Sequence, residues 1–168
     1  LYEGLVRNDV FTHGYDIIPG VAERWDVSPD GLVYTFHLRP DAKWSNGAPV
    51  TAGDFVYSWR RALLPDTAAD YTGLFHLIRG GKEFTAWREG ALAELEKTGE
   101  SMEAATALWE ETERRFRELV AISTPDDRTL RVELVQPTPY FLDLCAFPVF
   151  YPVYPPQVRQ YEVLQPSG

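Results

Sequence analysis

Residues 19–63 run PGVAERWDVSPDGLVYTFHLRPDAKWSNGAPVTAGDFVYSWRRAL and constrain the fold more than any other stretch. Leu32 to Leu38 is rich in β-branched and aromatic residues, and Asp30-Gly31 ahead of it marks the start of a strand. Trp25 to Val27 pairs with Val33 to Leu38 as a hairpin about the turn Ser28-Pro29-Asp30-Gly31. Ser45-Asn46-Gly47 tolerates positive φ, so the chain reverses there. Thr51 stands three residues before Asp54, the spacing at which each side chain satisfies an orphan amide at a helix start. In the helix that follows, Phe55, Trp59, Ala62 and Leu63 share one face.

Elsewhere the signals are more scattered. Leu1 to Arg7 is apolar and reads as a strand or a helix end, and Val10 to Tyr15 as a polar turn. Pro19-Gly20 opens a short helical turn through Ala22 and Glu23. Pro65 ends the Ala52–Leu63 helix, and Gly80-Gly81 marks a break. From Lys82 to Ile122 the chain is helical in character. Met102, Ala105, Trp109, Thr112, Phe116 and Leu119 recur at three- and four-residue steps behind an N-cap at Ser101. This insert is read as a surface helix laying its apolar stripe on the sheet, with a partner-binding helix as the alternative. Thr129 to Leu134 alternates as a half-buried strand with Leu130, Val132 and Leu134 on one side. A short helix from Tyr140 to Cys145, an extended proline- and aromatic-rich connector from Pro148 to Pro156, and a last helix near Gln157 to Tyr161 complete the chain. The expected fold class is α+β: a small, mainly antiparallel sheet from Trp25–Val27, Val33–Leu38 and Thr129–Leu134, covered by helices. Residues 1–168 are expected to form a single domain, with a helical insert at about 82–122.

Composition excludes several functions. A net charge of −9 gives no basic surface for nucleic acid and no polybasic patch for anionic lipid. No apolar run is long enough to span a bilayer. Cys145, the lone cysteine, lies among Leu142, Leu144 and Phe147 and reads as a buried, inert thiol. His13, His37 and His76 lack metal-ligand spacing, and His37 reads as a satisfied strand histidine. No nucleophile elbow, phosphate loop or zinc motif is present, so neither a cofactor nor an enzymatic role is expected. A carbohydrate-active module would need Asp54 beside Glu23 or Asp41, with Trp25, Trp44 and Trp59 as a stacking platform. Asp54 already has a capping role, and the three tryptophans fit a shared core better.

Several blocks, in order, resemble the extracytoplasmic solute-binding proteins of ABC transporters, specifically the oligopeptide and dipeptide-binding family. They are Leu1-Tyr2-Glu3-Gly4-Leu5, Pro19-Gly20-Val21-Ala22-Glu23, Tyr34 to Arg39, Ala42 to Ser45, and Pro49 to Trp59. Arg128 to Val132 and Pro139-Tyr140-Phe141 follow. The likeness covers nearly the whole chain and is weakest at the helical insert. It implies a longer, two-lobed protein of which this chain is a fragment, matching the extra domain of the first lobe. The start at Leu1 and the ending Gln165-Pro166-Ser167-Gly168 agree with that expectation. By the same resemblance the parent protein is expected to be periplasmic or extracytoplasmic, with a lipid anchor as the family's alternative form, and to hand oligopeptides to an ABC transporter permease. Dipeptide, longer-peptide, nickel-complex and haem importers share the scaffold. The family's segment after the capped helix carries a tyrosine facing the ligand cleft, and Tyr71 stands at the matching place as the one ligand-binding nomination. The competing reading packs Tyr71 against Leu74 and Phe75.

Overall fold

The structure, a computed structural model, describes residues 3–168. Its organising element is the hairpin of β3 (Ala22–Val27) and β4 (Val33–Leu38), closed at the expected turn. Gly31 takes φ 70° there, and the Asp30 carboxylate accepts the Leu32 amide at 3.0 Å. Along β4, Tyr34, Phe36 and Leu38 are buried while the residues between them are half-exposed, the alternation a one-sided sheet requires. Strand β6 (Thr129–Glu133) joins the other edge of β4 and sets Val132 opposite Tyr34 and Leu130 opposite Phe36. Strand β5 (Ile122–Asp126) closes the antiparallel order β3-β4-β6-β5. The α+β expectation holds, and this sheet has one strand more than the sequence indicated.

Three local readings need correction. Ala22 and Glu23 belong to strand β3 rather than to a helical turn. Helical geometry loses because the amides of Gly20 and Ala22 bond to the Leu5 carbonyl and that of Val21 to the Gly4 carbonyl. The stretch Leu1–Arg7, read as a strand or a helix end, needs none: it lies partly outside the described residues, and its described end enters β1 (Val6–Asn8), paired with β2 (Ile17–Pro19). The last helix, α6, spans Pro155–Val158 rather than Gln157–Tyr161, because Pro155 and Pro156 fill first-turn positions where a missing N–H costs nothing. The preceding segment is not wholly extended, since Pro148–Phe150 forms a 3₁₀ turn.

Helix α1 (Ala52–Leu63) lies over the sheet with Phe55, Trp59 and Leu63 fully buried and Ala62 partly so. Its start is the expected capping box: the Asp54 carboxylate accepts the Thr51 amide at 3.0 Å. The same carboxylate oxygen accepts the Trp44 indole N–H at 3.0 Å, tying the preceding turn to the helix. Trp59 sits among Phe55, Phe75 and Phe150, and its indole donates to the Phe150 carbonyl at 2.9 Å.

Beyond α1 come the short helix α2 (Thr72–Phe75) and a helical hairpin of α3 (Gly81–Thr98) and α4 (Met102–Leu119), the latter capped by Ser101. The apolar stripe of α4 meets α3 rather than lying on the sheet. Phe116 contacts Phe84 edge-on at 5.4 Å, and Ala105 and Thr112 are buried with it. Met102, read as part of that stripe, is exposed at the hairpin's far end. The hairpin is held tightly at its base: Gly80 has φ 80°, and a Cβ there would lie 1.8 Å from the Leu119 carbonyl oxygen. The chain then passes through β5 and β6 to α5 (Phe141–Cys145).

Candidate functional site

The end of α1 leads into the segment that carries Tyr71. Leu64 adopts an extended conformation, Pro65–Thr67 forms a 3₁₀ turn, and Ala68 takes φ 45° in the left-handed region. The chain then reaches Tyr71, the N-cap of α2, whose backbone carbonyl accepts the Leu74 amide at 3.0 Å. The Tyr71 side chain is not absorbed into the core. It is 51% exposed, and its ring meets Phe147 at 5.4 Å and 82°. Phe75, which the competing reading made its partner, turns inward instead and stacks on Phe150 at 4.2 Å. Tyr71 and Phe147 together form an exposed aromatic edge contributed by two distant segments. Such a pair offers apolar area at low entropic cost, and the phenol adds one hydrogen bond. In the sequence Phe147 was read only as an apolar neighbour of Cys145; the pairing with Tyr71 is what distinguishes it.

Of the other nominated groups, all but Glu23 are committed to structural contacts. Asp54 serves Thr51 and Trp44, and Asp41 lies 3.6 Å from Arg39. Glu23 is exposed on β3. Trp59 is fully buried, Trp44 nearly so, and Trp25 packs partly against the core, so the three form no exposed platform. His37 Nε2 lies 2.8 Å from Asp26, as a satisfied strand histidine should. Among the described residues, no group of three or more His, Cys, Asp or Glu side chains is placed to hold a metal ion. Burial pushes the Cys145 thiol well above its ordinary pKa, which keeps it protonated and unreactive. No helix among the described residues is long and apolar enough to cross a membrane.

The sequence and fold can be set beside known proteins. Residues 16–164 match the middle region of the bacterial extracellular solute-binding proteins, family 5. The chain belongs to that family. The periplasmic oligopeptide-binding protein OppA of Escherichia coli is 39% identical over 153 residues, covering 91% of this chain and 23% of OppA. The dipeptide-binding protein DppE of Bacillus subtilis is 35% identical over the same share. The solved structure of Listeria monocytogenes OppA bound to peptide superposes with a TM-score of 0.73 at 37% identity, over 96% of this chain and 26% of that one. This family 5 chain therefore spans about a quarter of the length of the relatives it matches. The resemblance read from the ordered blocks is thus correct, and the matched residues 16–164 run through the helical hairpin.

Proposed function

We propose that this chain is a single-domain portion of an extracytoplasmic oligopeptide-binding protein, one that captures peptides for import by an ABC transporter. The observation that carries this reading is the likeness, over nearly the whole chain, to a receptor solved with peptide bound. The Tyr71–Phe147 edge is the part of the surface assigned to the ligand, with the Tyr71 ring and hydroxyl meeting a peptide's backbone and side chains. The remainder is a buttress: a sheet, α1 and an aromatic core that hold this edge still without catalytic chemistry of their own. The receptor's partner is a transporter permease, and its place is the periplasm or the outer face of the membrane, with a lipid anchor in the latter case.

Binding in such a protein couples to closure of two lobes around the ligand. A segment that supplies one wall loses the contacts of the other, so residues 1–168 alone have negligible affinity for peptide. Calorimetric titration of the full-length parent and of residues 1–168 with a pool of tri- to pentapeptides tests this. Heat with the parent and none with the segment is the expected result. Tight one-to-one binding by the segment, or none by the parent, overturns the proposal.

A further inference from the structure

A helix leaves its last four carbonyls without intrahelical partners, and the way α1 satisfies them is unusual. Thr67 Oγ1 lies 2.7 Å from the Arg61 carbonyl, Thr72 Oγ1 2.9 Å from that of Ala62, and Thr85 Oγ1 2.8 Å from that of Leu63. The Leu64 amide bonds to the Arg60 carbonyl at 3.1 Å. The three threonines come from the 3₁₀ turn, α2 and α3, so three separate elements are fastened to one helix end.

Between Thr67 and Thr72 the chain passes through Ala68 at φ 45°, in the left-handed region that residues other than glycine adopt at a cost. Such a backbone persists only where its surroundings over-determine it. One further contact does so. Arg88 on α3 is 1% exposed, and its guanidinium donates in parallel to the two carboxylate oxygens of Asp66, from Nε at 3.0 Å and Nη2 at 3.1 Å. Its Nη1 donates to Thr112 Oγ1 at 3.1 Å, and that hydroxyl donates to the Leu108 carbonyl on α4 at 2.7 Å. A buried ion pair of this kind is poor evidence for stability, since desolvation offsets most of its attraction. A two-pronged planar pair is well suited to fixing direction and register.

We infer that Arg88 is a positioning residue: through Asp66 the helical hairpin clamps the 66–71 segment and so fixes where Tyr71 stands against Phe147. The inference gives the insert a task, and it rests on the proposal that Tyr71 meets the peptide. Two readouts in the full-length parent keep the two ideas separate. Hydrogen exchange across residues 66–71 reports the clamp. Affinity for a pool of tri- to pentapeptides reports the ligand role. In Arg88→Gln the exchange of that segment rises about tenfold, while β4 and β6 keep their protection. Peptide affinity falls about tenfold, Arg88→Lys recovers part of it, and Arg88→Gln costs less than about twofold when Tyr71→Ala is already present. Asp66→Asn, which keeps the size of the side chain and leaves Arg88 its bond to Thr112, reproduces both effects if Arg88→Gln fails to fold. Unchanged exchange at 66–71 in both variants overturns the clamp, as does a loss of thermal stability with affinity unaltered while Tyr71→Ala weakens binding. Faster exchange with affinity indifferent to Tyr71→Ala supports the clamp and rejects the ligand assignment of Tyr71 instead.

Discussion

Removing the Asp54 carboxylate should cost more than the loss of a helix cap. Asp54 accepts two hydrogen bonds at 3.0 Å each, from the Thr51 amide and from the Trp44 indole. Loss of a capping side chain typically destabilises by about 1 kcal/mol. Trp44 is almost entirely buried, and an indole N–H stranded there adds about 1–3 kcal/mol of uncompensated desolvation. Asp54→Ala is therefore expected to lower unfolding free energy by about 2–4 kcal/mol, against about 1 kcal/mol for Thr51→Ala. A second substitution separates the two contributions. Trp44→Phe removes the orphaned donor while keeping an aromatic ring near Tyr154, now 5.3 Å from the indole. Added to Asp54→Ala, it should cost about 1–2 kcal/mol less than it does alone, because the donor it deletes no longer has a partner to lose. Urea unfolding followed by far-ultraviolet circular dichroism measures the four variants and the wild type without depending on tryptophan emission. Equal costs for Asp54→Ala and Thr51→Ala, with strict additivity in the double variant, would refute the reasoning.

Gly80→Ala should be among the most damaging single-methyl additions in the chain. The new Cβ would overlap the Leu119 carbonyl in a backbone conformation that L side chains rarely adopt, so a loss above about 3 kcal/mol in the same unfolding assay is expected. The Tyr57 phenol is pushed up to about 12 by burial and by the hydrogen bond it donates to the Glu162 carboxylate. The unfolded chain releases that proton near pH 10 while the native state holds it, so this group's stabilisation is intact below pH 10 and declines from pH 10 to about 12. Unfolding free energies of wild type and Tyr57→Phe across that range test the sign: the wild type should fall the more steeply of the two.

The sheet and its main helix were legible because their signals are local. The alternation at Leu130, Val132 and Leu134, the Asp30-Gly31 turn and the Thr51–Asp54 spacing each decide a conformation within a few residues. Strand β5 was not legible, since Ile122 to Asp126 contains a proline and is largely exposed; it is a strand because β6 offers it an edge. Ala22 and Glu23 misled for a related reason, as the Leu5 carbonyl, far earlier in the chain, takes the Ala22 amide and Glu23 follows it into β3. The insert was recognisable as helical, yet its role was hidden in Arg88, one arginine of a charged helix until its burial against Asp66 and Thr112 is seen. Tyr71 was reached by resemblance to a family motif, whereas its pairing with Phe147 depends on the return of the chain through α5.

The most direct measurement replaces Tyr71 with the photoreactive residue p-benzoylphenylalanine in the full-length parent, irradiates it with the peptide pool bound, and identifies the adducts by mass spectrometry. A cleft-facing side chain predicts cross-links from position 71 to peptide that vanish when unlabelled competitor is in excess. Cross-links confined to neighbouring protein residues, under conditions where calorimetry shows the peptide bound, would contradict the placement of the ligand against this edge.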